Sequence, residues 1–266
     1  MTVPAALWPL ELRHVEWFLM AAARLAGLLA IAPPFNHRML PIPVRVGLGF
    51  ALTGLAWSAV VAAPPLPSGS AIALALGAAG ELGVGLLLGF VARLITAAGT
   101  FAAEIISMQM GFGFASVIDP THGYQVTVLT QLFDMLVLLL FLMLDGHHLV
   151  VAAAVESFRV VPLGGFMFGP GLMESVFPLV PRIFTLGLAL AGPTLGALFI
   201  ANLILVLMAR SIPQINILLV GFPLMITVGL LVLLLNLDLM GSLIGGEIKQ
   251  MEAHFVGLLR SLGHGR

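Results

Sequence analysis

Between Ile183 and Leu237 the chain carries one charged residue, Arg210. No water-exposed segment sustains so long an apolar run. A helix needs about 20 apolar residues to cross the ~30 Å hydrocarbon core of a bilayer, and each side of Arg210 supplies that length. The run is divided by Arg210-Ser211-Ile212-Pro213-Gln214-Ile215-Asn216, so it reads as one helical hairpin. Arg210 stands where a helix carboxyl end favours positive charge, Ser211 is a fitting cap, and Pro213 suits a first helical turn.

Composition extends this to the whole chain. Of 266 residues, 60% are hydrophobic and 9% charged, with a mean hydropathy of +1.14; a soluble domain carries about a quarter charged residues. Lipid, or other apolar protein, must take the place of water over most of the surface. A net charge of -1 and a single lysine, Lys249, provide no basic field and exclude nucleic-acid binding. The absence of cysteine removes disulfides and thiolate metal sites. Glu11 and Glu16, with no basic region before the first apolar stretch, argue against a cleaved secretory signal.

Six stretches are long enough, or nearly so, to span: Val15 to Ala32, Val44 to Ala63, Ser70 to Met108, Val126 to Leu144, Val180 to Met208 and Ile215 to Asn236. Backbone satisfaction in lipid requires helices, since the alternation of a barrel strand is missing. The fold class predicted is therefore all-α: membrane-associated helical hairpins, about six long apolar helices and no soluble domain. Pro33, Pro34, Pro41 and Pro43 enclose the first loop, and Pro64, Pro65 and Pro67 mark the second. The third stretch exceeds one crossing and holds Glu81, Arg93 and Glu104, which predicts a long tilted or protruding helix. Asp145 to Pro181, rich in glycine and proline, predicts short helices and loops. Basic residues are spread too evenly to orient the chain. Gly85-x-x-x-Gly89 and Gly192-x-x-x-Gly196 predict close helix approach.

Two constellations invite a chemical reading. In Met108-Gln109-Met110-Gly111-Phe112-Gly113-Phe114-Ala115-Ser116-Val117-Ile118-Asp119-Pro120 the glycines prevent a stiff helix, yet the segment is too apolar for a solvated loop. Either it lines a pore, where deformable Met and bulky Phe could close a conduit and yield to a passing chain, or it is an interhelical loop tucked into a core. Asp145-Gly146-His147-His148 is the one internal histidine cluster. Adjacent histidines point about 100° apart on a helix and no third ligand is suitably spaced, so no metal site is predicted. Asp145 and Gly146 instead end one helix, and Asp145 is expected to cap the next. Arg24, Glu81, Arg93, Glu104, Asp134 and Arg182 lie within or beside apolar stretches and are expected to pair, within the chain or across subunits, rather than form a proton path. No triad, paired-carboxylate site or nucleotide loop is present, and neither enzyme activity nor a cofactor is expected. A small-solute or ion transporter would show inverted repeats, and none is evident.

The chain resembles the FliR family of flagellar biosynthetic proteins along nearly its full length. The resemblance is carried by Ala32-Pro33-Pro34-Phe35 with Pro43-Val44-Arg45, by Gly111-Phe112-Gly113-Phe114-Ala115 and Asp119-Pro120, by Leu144-Asp145-Gly146-His147-His148, and by Arg210 to Asn216 with Pro213, Gln214 and Asn216, followed by Gly221-Phe222-Pro223. It implies a passive structural part of the flagellar type III export gate, in the inner membrane and the flagellar basal body. Its implied partners are FliP and FliQ in a channel, FlhB and FlhA, and the unfolded chains that pass through; the virulence-secretion subunit is the alternative. It also implies a P-like portion over residues 1–178, a Q-like hairpin over 179–240 and a short polar tail over 241–266. A plug would fall at about 108–120, with Phe112 and Phe114 obstructing the lumen.

Overall fold

The computed structural model describes residues 8–37, 40–57, 71–112, 128–166, 169–211 and 217–263. Its regular elements are helices: α1 Trp8–Ile31, α2 Ile42–Leu55, α3 Ala71–Gln109, α4 Val128–Met143, α5 Gly146–Val160, α6 Pro170–Val176, a 3-10 turn Phe177–Leu179, α7 Val180–Ser211, α8 Ile217–Leu235 and α9 Leu237–Gly263. Three segments are long and apolar enough to cross a membrane, His14–Ile31, Ile72–Gln109 and Gly171–Ser211, and two bent helix pairs raise that to as many as five. Helix α3 runs unbroken for 39 residues, about 58 Å at 1.5 Å per residue, as its uninterrupted pattern predicts. The second stretch yields a shorter helix than its length suggested, 14 residues; its end lies outside the described residues.

The chain divides into two compact units. The first comprises Met1–Arg93, Asp145–Leu179 and Lys249–Arg266. In it α1 packs on α2, with Phe18 and Phe50 stacked at 5.8 Å. Against α3, α1 comes to backbone contact: a Cβ on Gly85 would enter the Arg24 carbonyl, and one on Gly27 would enter that of Leu82. A Cβ on Gly89 would stand 3.0 Å from the Leu28 carbonyl oxygen. The Gly85-x-x-x-Gly89 spacing thus serves the close approach it predicted. At Gly192 and Gly196 an added Cβ would meet nothing within 4 Å among the described residues, so that pair makes no such contact with them.

The second unit comprises Leu94–Leu144 and Val180–Ile248. Here α7 and α8, joined by five residues, pack on each other as the hairpin reading requires. Leu186, Leu190, Thr194, Leu198, Ala201 and Leu205 form the buried stripe of α7, three or four residues apart as a helix face demands. Phe101 meets Phe184 edge-on at 5.1 Å. The opposite side of α7 is apolar too, with Phe199, Ile200, Leu203, Ile204, Val206 and Leu207 all more than half exposed.

The segment expected as a polar tail belongs to a 27-residue helix. Met240, Ile244, Ile248, Met251, Phe255, Leu258 and Leu262 are buried along one side of α9, and Lys249, Glu252 and Arg260 are exposed. Its polarity is that of an amphipathic helix. Helices α8 and α9 are bent by 57° at their junction. There the Val232 carbonyl, near the end of α8, accepts from the Asn236 side-chain amide at 2.7 Å and from the Asn236 backbone N–H at 3.0 Å.

Candidate functional site

Arg24 anchors a buried polar node in the first unit. Its side chain is 1% exposed and that of Glu81 0%. Nε donates to Glu81 Oε2 at 2.5 Å. One terminal nitrogen donates to the Ser157 carbonyl at 2.8 Å and to Ser157 Oγ at 3.1 Å, and the other to the Val161 carbonyl at 3.0 Å. Glu81 Oε1 accepts from the Gly164 backbone N–H at 2.8 Å, and the guanidinium lies 4.5 Å from the centre of the Phe158 ring. A buried charge persists only when paired and hydrogen-bonded. This node meets that condition while tying α1, α3 and α5 together with the loop after α5. Pairing was expected from the sequence; the partners were not identified there.

Asp134, in the apolar helix α4, accepts from Thr100 Oγ1 of α3 at 2.7 Å. Arg182 and Glu247 approach to 3.5 Å. Both Arg93 and Glu104 are exposed.

The proposed plug segment is described only as far as Phe112; Gly113, Phe114, Asp119 and Pro120 lie outside the described residues. Met108 is 73% exposed and Met110 is 1% exposed. Met110 packs into the notch left by Gly229 of α8: a Cβ there would stand 2.6 Å from its terminal methyl carbon and 2.9 Å from its sulfur. Gly111 has φ +92°, and the Phe222 ring fills the space a side chain would need. Glycine is required there on both counts. Phe112 is half-buried. The start of the apolar loop is therefore seated on α8 by Phe222 and Gly229, neither of which was singled out as its seat. Gly221-Phe222-Pro223 was a visible motif, but Gly229 is one more glycine in an apolar run. Pro223 is exposed within α8.

Asp145 occupies the N-cap position of α5 with left-handed backbone, φ 58°, and its side chain makes no capping hydrogen bond. The expected side-chain cap is not formed. Its carboxylate lies 3.0 Å from His148 Nδ1 instead. The expected divergence of the two histidines is also not observed: their ring centroids are 4.1 Å apart. Potential ligand atoms of Asp145, His147 and His148 all fall within 4.8 Å of one another, so the carboxylate of Asp145 stands beside both imidazoles. Gly146 is buried at the start of α5. Arg210 lies in the last turn of α7, as its charge predicts; Pro213, Gln214 and Asn216 lie outside the described residues.

All-helical elements, apolar faces left open and an interior ion pair define an all-α membrane protein. Over residues 15–251 the sequence matches the family described as bacterial export proteins, family 1. The chain belongs to that family. It is 36% identical over 207 residues to the flagellar biosynthetic protein FliR of Escherichia coli (strain K12), covering 78% of each chain. Against the protein of that name from Pectobacterium carotovorum subsp. carotovorum it is 33% identical over 232 residues, 85% of each. The FliR protein of Bacillus subtilis (strain 168) is 30% identical over 220 residues, 82% of this chain and 84% of the relative.

Proposed function

We propose that this chain is a structural subunit of the flagellar type III export gate, joining FliP and FliQ in the inner membrane to form the channel through which unfolded flagellar proteins pass. FlhB and FlhA are the further partners, and the flagellar basal body is the site of action. Family membership over residues 15–251 carries this reading, and the flagellar names of the relatives favour that branch over virulence secretion. In this arrangement residues 1–178 form a P-like portion and 179–240 a Q-like hairpin, which the packing of α7 on α8 supports. The apolar outer face of α7 is available to neighbouring subunits.

Residues from about 108 to 120 act as the stopper. Met110 and Gly111 hold its base on α8, leaving Phe112 and Phe114 to obstruct the lumen. The role is passive: side chains seal the conduit against water and ions and give way to an exported chain. Pull-down of the tagged chain from detergent should retain FliP and FliQ in stoichiometric amounts. A chain that supports motility without either protein bound would overturn the assignment.

A further inference from the structure

We propose that Asp145, His147 and His148 form a binding site for a borderline divalent cation of the zinc type. The two imidazoles and one carboxylate bring their potential ligand atoms within 4.8 Å of one another. Atoms sharing a tetrahedral cation at about 2.0–2.2 Å sit about 3.3–3.6 Å apart, and the Asp145–His148 pair, at 3.0 Å, is within a few tenths of an ångström of that spacing. Small side-chain rotations would complete the set. Two nitrogens and one oxygen select zinc, cobalt, nickel or copper over calcium and magnesium, which take oxygen ligands. Three protein ligands leave a fourth position for water or a further donor.

Two further observations bear on the site. His147 Nδ1 is buried with no hydrogen-bond partner among the described residues, so the imidazole has coordinating capacity that the protein does not use. Asp145 holds a left-handed backbone conformation, which aspartate tolerates better than most residues. That conformation lets a residue just outside the helix face two in its first turn. The positive end of α5 opposes a cation, and the Asp145 carboxylate offsets it. A bound cation would fasten the start of α5 to the residue preceding it.

The test uses full-length protein in detergent, with any histidine tag removed and metal stripped by chelator. Zinc titration should give one equivalent per chain. Cobalt(II) should develop the visible absorption of a tetrahedral site, and zinc should raise the unfolding temperature, as any ligand selective for the folded state does. Asp145→Asn, which keeps a residue tolerant of left-handed backbone, and His148→Gln, at a side chain 71% exposed, should each weaken binding at least about tenfold with unchanged far-UV circular dichroism. In the unmodified protein, zinc should protect His147 and His148 from diethylpyrocarbonate. Absence of zinc binding, wild-type zinc affinity in both variants, or unprotected histidines at saturating zinc would each overturn the site.

Discussion

Arg24 illustrates how much one side chain decides in an apolar interior. Its three nitrogens make four hydrogen bonds, to Glu81, Ser157 and Val161, and only a planar fork reaches all of these acceptors. Arg24→Ala leaves the buried Glu81 carboxylate without its partner, at a cost of about 3–5 kcal/mol. Arg24→Lys should recover little, because a single ammonium cannot span the set. Replacing both partners with apolar groups, Arg24→Met with Glu81→Leu, should destabilise less than Arg24→Ala alone. Thermal unfolding in detergent checks this order; equal stability of Arg24→Ala and wild type would mean the pair contributes nothing. In sequence, Arg24 and Glu81 are both visible as charges that lipid will not accept. Which partner each takes is not visible, because 57 residues separate them and only the packing of α1 on α3 brings them together. Ser157, Val161 and the Gly164 amide carry no mark at all in the sequence, since two of the three contribute only backbone atoms and Ser157 accepts through an ordinary hydroxyl and carbonyl.

Among whole elements, legibility follows from whether the apolar pattern is interrupted. Helices α3, α7 and α8 read cleanly because long apolar runs bounded by breakers admit few alternatives. Helix α9 is harder to read, because Glu247, Lys249 and Glu252 fall close together and give residues 241–266 a polar cast, although Met240, Ile244, Ile248, Met251 and Phe255 trace the 3.6-residue period. The two Gly-x-x-x-Gly motifs are indistinguishable in sequence, yet the first sits at a crossing of α1 and α3 and the second meets no side chain or backbone among the described residues. Gly85→Ala should therefore lower the unfolding temperature sharply, since the backbone of α1 must move to admit the methyl group. Gly192→Ala should leave the stability of the isolated chain within about 0.5 kcal/mol of wild type, or slightly raise it through helix propensity. Gly111→Ala meets both a left-handed backbone and the Phe222 ring, so it should free the base of the apolar loop and raise its susceptibility to protease. Similar proteolysis of wild type and Gly111→Ala would remove α8 from its proposed part in seating the loop.

For the whole molecule, the decisive property is the mismatch between what the chain buries and what it leaves open. In the second unit, α7 covers one apolar stripe and exposes another of equal character, from Phe199 to Leu207. Water cannot solvate such a face at acceptable cost, and lipid or a neighbouring subunit can. The candidate stopper depends on the same neighbours: a loop can seal a lumen only if other walls complete it. Phe112→Ala combined with Phe114→Ala should leave co-purification with FliP and FliQ unchanged but let resting cells leak ions, measured as dye or potassium release; normal permeability with intact assembly would remove the sealing role. Leu203→Arg addresses the open face directly. A charge there is disfavoured by about 2.5–3.5 kcal/mol at the centre of a membrane helix, and a similar misfit arises in an apolar subunit contact. This variant should lose FliP and FliQ on pull-down and abolish motility, whereas Glu252→Lys, on the exposed charged side of α9, should retain both. If the isolated chain instead sheltered that face within its own fold, Leu203→Arg would lower its unfolding temperature. Loss of partners with unchanged stability of the isolated chain is the outcome that assigns the face to other subunits.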